Sequence, residues 1–171
     1  MNKKTRNLTL SALFTALSVI ILYIASVWPT GQLGLTAVAS LFVAAAIIES
    51  GLLFGIYVYI TSSLISILIV PNRITPILFI LFFGFYPIVK SLIEKNKQLI
   101  IQIIAKLVVF NISLTVIWFL FSELVLAFIN FDLNIIFIFL IGNIVFILFD
   151  YGFTKLIWFY ITRISVNKNK E

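Results

Sequence analysis

Lys106, Asp150 and Lys155 are ionisable residues set within long apolar runs of the chain. A charge in hydrocarbon is costly, so each such group calls for a partner or a task. Gln102, Lys106 and Ser113 recur at i, i+4 and i+11, and Asn143, Asp150 and Thr154 at i, i+7 and i+11. Either spacing lays its residues along one helical stripe. At a rise of about 1.5 Å per residue, Lys106 lies roughly 10 Å beyond Leu99 and Asp150 roughly 15 Å from Tyr160. The two depths differ by about one turn, which a lysine side chain can bridge. The stripes are therefore expected to face each other as a buried polar seam closed by a Lys106–Asp150 ion pair. Such a pair either fixes helix register or serves a charged pathway, and register is the commoner use. Lys155 is expected to snorkel to the headgroups.

Other chemistry is sparse. The chain has no histidine and no cysteine, which removes the usual neutral-pH base, thiolate nucleophile and metal ligands. It has no Walker loop and no Gly-x-Ser-x-Gly elbow, and no second carboxylate shares the Asp150 seam. Acid–base catalysis needs partners within hydrogen-bond reach, so neither enzyme activity nor a metal or other cofactor is expected. No folded basic face for nucleic acid is evident.

The elements that must hold these residues are membrane helices. Of 171 residues, 63% are hydrophobic and 11% charged, against roughly 45–50% and 25% in soluble domains. Spans of about 20 apolar residues cross a bilayer. Six are expected, near residues 8–28, 32–48, 52–70, 76–93, 99–128 and 135–164, in one all-α integral membrane domain that forms a compact bundle. The first follows Lys3, Lys4 and Arg6 and is read as a retained helix. Glu49, Ser50 and Gly51 break the second from the third in a tight turn, with a re-entrant hairpin as the alternative. Pro76 suits the start of the fourth helix, and Pro87 should kink it.

Orientation follows the excess of Lys and Arg on the cytoplasmic side. Six crossings place Lys3, Lys4, Arg6, Lys95, Lys97, Arg163, Lys168 and Lys170 on one side and Arg73 on the other. Both termini are thus expected in the cytoplasm of a bacterial cell, with the chain multi-pass in its membrane. Glu49, Lys90 and Glu94 gather at the inner helix ends, with Lys90 and Glu94 at pairing distance i, i+4. Trp28, Gln32, Asn72, Arg73, Trp118, Glu123 and Asn130 gather near the outer loops, beside Asp132 and Asn134. They are either interface anchors or the polar contacts of an outward-open solute pocket.

Ala12 and Ala16, Ser40 and Ala44, and Ser62 and Ser66 form small-x-x-x-small steps, which let helix backbones approach closely. Most such steps serve internal packing; one on the outside of the molecule invites a partner.

The stretch Arg6-Asn7-Leu8-Thr9-Leu10-Ser11-Ala12-Leu13-Phe14-Thr15-Ala16-Leu17, with the basic start and six helices, resembles the substrate-binding S components of bacterial energy-coupling factor (ECF) transporters or a related bacterial membrane-protein family. The resemblance implies binding of a vitamin or other micronutrient on the outer side, with uptake driven by an ECF-type ATPase module. It also implies that Ala12 and Ala16 meet the coupling subunit. The competing expectation is a non-transporting scaffold or assembly protein of the cell-shape or sporulation type, with no ligand. A third is a channel or carrier that uses the Lys106–Asp150 seam.

Overall fold

Helices account for nearly all of the chain, and no strand occurs among the described residues. The computed structural model describes residues 3–128 and 135–163. The helices are α1 (Lys3–Val27), α2 (Gln32–Ser50), α3 (Leu52–Ile69), α4 (Ile74–Leu78), α5 (Tyr86–Ile93), α6 (Leu99–Phe128) and α7 (Ile135–Arg163). A π-helical segment, Phe79–Phe83, follows α4. Taking residues 74–93 as one interrupted span, six stretches are long and apolar enough to cross a membrane. The contacts divide the chain into two units, Met1–Leu92 with Lys155–Glu171, and Ile93–Thr154.

In the first unit α1, α2 and α3 pack on one another, with α4 and the π segment against them. Small side chains make this possible, because helices in lipid associate through close van der Waals contact. Ser18, Ala25, Ala39, Ala46, Ser62 and Ser66 are fully buried with Leu22, Val43 and Val58. Interhelical hydrogen bonds join the same surfaces. The Ser18 hydroxyl donates to the Ala39 carbonyl at 2.8 Å, and the Thr15 and Thr61 hydroxyls meet at 3.0 Å. Ser40, Ala44, Ser62 and Ser66 are all buried, so two of the three small-residue steps serve packing inside this unit. Ala12 and Ala16 are exposed on α1.

The junction of α2 and α3 is one residue long. Gly51 sits at φ 97° and ψ 170°, a conformation essentially confined to glycine. Its amide still donates to Ile47 at 2.9 Å, which closes α2. The second helix therefore runs through Glu49 and Ser50 rather than stopping before them, since glycine alone breaks it. The first helix likewise starts at Lys3, so the basic cluster forms its opening turns.

The fourth span differs most from expectation. It begins two residues before Pro76, which occupies the first turn, where its missing amide has no intrahelical partner to lose. Pro87 has no amide to give the Phe83 carbonyl, and its ring would clash with that carbonyl in a continuous α-helix. The chain resolves this upstream. It widens so that the Gly84 amide bonds to Phe79, five residues back, at 2.7 Å. A fresh helix then starts at Tyr86 with Pro87 in its first turn. The Tyr59 hydroxyl donates to the Ile80 carbonyl within the π segment at 2.9 Å. Pro87 thus marks a restart of the helix instead of a simple kink.

Candidate functional site

In the second unit, α6 and α7 run antiparallel in a regular register. Lys106 meets Asp150, the Phe110 ring stacks on Phe146 at 4.5 Å, and Leu114 packs over Gly142. Each step of four residues up α6 matches four down α7, about one turn on each helix.

Lys106 is the hub of the polar groups. Its ammonium lies 3.0 Å from Asp150 Oδ2 and 2.7 Å from Glu94 Oε1. Its side chain is 9% exposed, whereas those of Asp150 and Glu94 are 21% and 37% exposed. One ammonium thus holds two carboxylates on a gradient from buried to solvated. One turn farther along, Asn111 and Asn143 exchange amide hydrogen bonds. Asn111 Nδ2 donates to Asn143 Oδ1 at 2.8 Å, and Asn143 Nδ2 donates to Asn111 Oδ1 at 3.1 Å. Each amide also donates to its own helix, at Leu107 and Phe139 respectively. Both side chains have thereby spent their donors, which suits a site without water.

Of the six residues expected in the seam, Lys106, Asp150 and Asn143 meet α6–α7 partners, and Ser113 is buried on α6. Gln102 leaves the seam: its amide reaches the Asn96 carbonyl in the α5–α6 connection at 2.5 Å. Thr154 is exposed and bonds the carbonyl of Asp150 on its own helix. Two members were missed. Glu94, expected beside Lys90 and Glu49, places its carboxylate on Lys106. Asn111 falls off the i+4 and i+7 stripes, but the antiparallel register set by Lys106 and Asp150 brings it level with Asn143.

We expect Asn111→Leu to lower stability in detergent by about 1 kcal/mol, the usual scale for interhelical hydrogen bonds in membranes. Asn111→Leu with Asn143→Leu should recover part of that loss, because no amide is then left unmatched. Chemical or thermal unfolding of the four proteins in the mutant cycle measures it.

The first unit buries two further charged residues, one at the end of α2 and one on α5. Glu49 is 5% exposed and Lys90 2%. The Tyr160 hydroxyl donates to Glu49 Oε1 at 3.3 Å, and Lys90 Nζ stands 5.9 Å from the centre of the Tyr86 ring. Lys90 and Glu49 are thus packed inside the protein.

The polar residues expected near the outer loops assemble only in part. Gln32 Nε2 donates to Thr75 Oγ1 at 2.8 Å, tying the start of α2 to α4. Asn72 accepts the Ile74 amide, and Arg73 donates to the Ile67 carbonyl. Trp28 is largely exposed, as suits an interface anchor. Trp118 lies on α6, in the other unit. The side chain of Glu123, and Asn130 as a whole, lie outside the described residues. Asn72 and Arg73 thus spend polar atoms on nearby backbone.

A groove of about 380 Å³ opens on the first unit, lined by α1, α2 and the end of α7. Its walls are almost wholly apolar, and Tyr160 is its polar residue. Among the described residues no group of three or more carboxylates could hold a metal ion. No protein-family model, curated protein or solved structure matches the chain.

Proposed function

We propose that this chain is a multi-pass subunit of a bacterial cytoplasmic membrane that works by docking a transmembrane partner, in the manner of an ECF S component, and not by catalysis. In this reading it binds a small solute of the vitamin or micronutrient class on its outer side, and an ATPase module drives uptake. Six span-length helices support the membrane assignment. Lys3, Lys4 and Arg6 at the start of α1, Lys95 and Lys97 after α5, and Arg163 at the end of α7 support termini on the cytoplasmic side.

The observation that carries the docking role is the outward step on α1. Ala12 and Ala16 are exposed, whereas Ser11, Thr15 and Ser18 of the same helix are buried. The internal face of α1 is therefore already used, and a second, smooth face is left that a helix can approach closely. Ala12→Trp with Ala16→Trp should abolish copurification of a transmembrane partner and its ATPases in mild detergent, at least tenfold by quantitative mass spectrometry. Thermal stability should stay within about 0.5 kcal/mol of the parent, as is usual for exposed positions. Undiminished recovery of partners would remove the role of α1.

A second reading, a scaffold without ligand, draws on the α6–α7 seam, whose polar groups are matched to one another as register-setting residues would be. Small molecules copurifying with the wild-type protein distinguish the two: a stoichiometric solute supports uptake, and none supports the scaffold.

A further inference from the structure

The groove on the first unit has an architecture that its apolar walls alone do not convey. Phe14 and Leu17 form its α1 wall, Phe42 and Ala45 part of its α2 wall, and Leu156 and Phe159 part of its α7 wall. Leu156 and Phe159 are exposed, so the groove is open to the bilayer along its side. On α1, Lys3, Leu10, Phe14 and Leu17 are separated by seven, four and three residues, which places them on one stripe. On α7, Arg163 follows Phe159 by four residues and Tyr160 by three, again one stripe. Both lining stripes therefore end in an exposed cation at the same end of the unit. Arg6 stands one turn from Lys3 on an adjoining face.

We propose that this groove is a binding site for one anionic phospholipid. An acyl chain lies along Phe14, Phe42 and Leu156, and the headgroup phosphate sits between Lys3 and Arg163. An apolar slot capped by two cations complements an amphiphile with a long tail and a negative head. A zwitterionic headgroup would gain less, because basic residues at this level favour anionic lipid. Tyr160 lines the slot with its hydroxyl turned to Glu49. The Ala12–Ala16 face lies about 150° around α1 from this stripe, at 100° per residue. A bound lipid would thus leave the docking face clear.

The test is native mass spectrometry of the full chain exchanged into detergent with equal amounts of phosphatidylglycerol and phosphatidylcholine of matched acyl chains. The expected result is one retained lipid per chain, with phosphatidylglycerol favoured roughly tenfold or more, the scale set by two basic side chains near the surface. Lys3→Gln with Arg163→Gln alters only exposed side chains and should bring the two lipids to near-equal occupancy. Leu17→Trp fills the slot and should displace both. Equal occupancy in the parent protein, an undiminished preference in the double glutamine variant, or retention of a second copy of the chain in place of lipid would each overturn the proposal.

Discussion

Lys106→Met is expected to destabilise the protein by about 3 kcal/mol, the low end of the range for breaking a buried ion pair by removing one partner. Methionine keeps most of the volume, so the loss reports charge and not packing. The substitution leaves Asp150 and Glu94 at a site shaped for one ammonium between them, and two carboxylates facing each other repel. The low end applies because the Glu94 side chain is 37% exposed and the Asp150 side chain 21%, so water offsets part of the cost. Asp150→Asn should cost less, about 1 kcal/mol, since Lys106 keeps Glu94 at 2.7 Å. The informative variant is the double one. Lys106→Met with Asp150→Leu should regain most of the lost stability, as apolar replacements of buried pairs commonly do. Unfolding titrations in detergent micelles measure all three. A Lys106→Met loss below about 1 kcal/mol would show that Lys106 is held as an ordinary surface charge.

Gly55→Ala should cost about 2 kcal/mol through overpacking. A Cβ at this position would run into Cγ1 of Ile47 and lie 3.1 Å from its Cδ1. Both residues belong to the α2–α3 hairpin, whose helices are separated by Gly51 alone. That junction gives the helices little freedom to spread apart. Relief must come from Ile47 itself, so Ile47→Ala with Gly55→Ala should be less destabilising than the two single losses added together. Gly152→Ala is the control. Its Cβ would meet nothing within 4 Å, and alanine is the better helix former by up to about 1 kcal/mol. Thermal unfolding of these four variants in one detergent tests the reading. Strict additivity of Ile47→Ala and Gly55→Ala would show that the contact does not limit packing.

Where the sequence carried a covalent or steric imperative, the structure was legible in advance. Gly51 ends a helix because the chain has no good alternative there, and apolar runs of bilayer length fix the six spans. The Lys106–Asp150 pair was legible because a charge at that depth must find its opposite. Legibility fails where the outcome depends on a neighbour. Glu94 is placed at pairing distance from Lys90 by the i, i+4 spacing, but its approach to Lys106, twelve residues on, depends on the path of the connection after α5. Asn111 cannot be found from the stripes of α6 taken alone; it needs the antiparallel register with α7. The π segment Phe79–Phe83 contains no unusual residue, and its cause, Pro87, lies four residues beyond its end. Glu49 was read as a helix breaker, yet it sits buried within α2 with the hydroxyl of Tyr160 on its carboxylate.

The widened turn at Phe79–Phe83 also makes the fourth span two rotors on one shaft. An α-helix advances about 100° per residue, and a π turn lodges one extra residue in a single loop of the coil. The azimuth of everything from Tyr86 onward is thereby decoupled from that of α4. Tyr86 and Lys90, four residues apart, are both turned inward on this second rotor, while Phe85 just before it faces out. The extra residue works as a phase shifter, letting a single crossing present one chosen side to its neighbours at one end and another at the other.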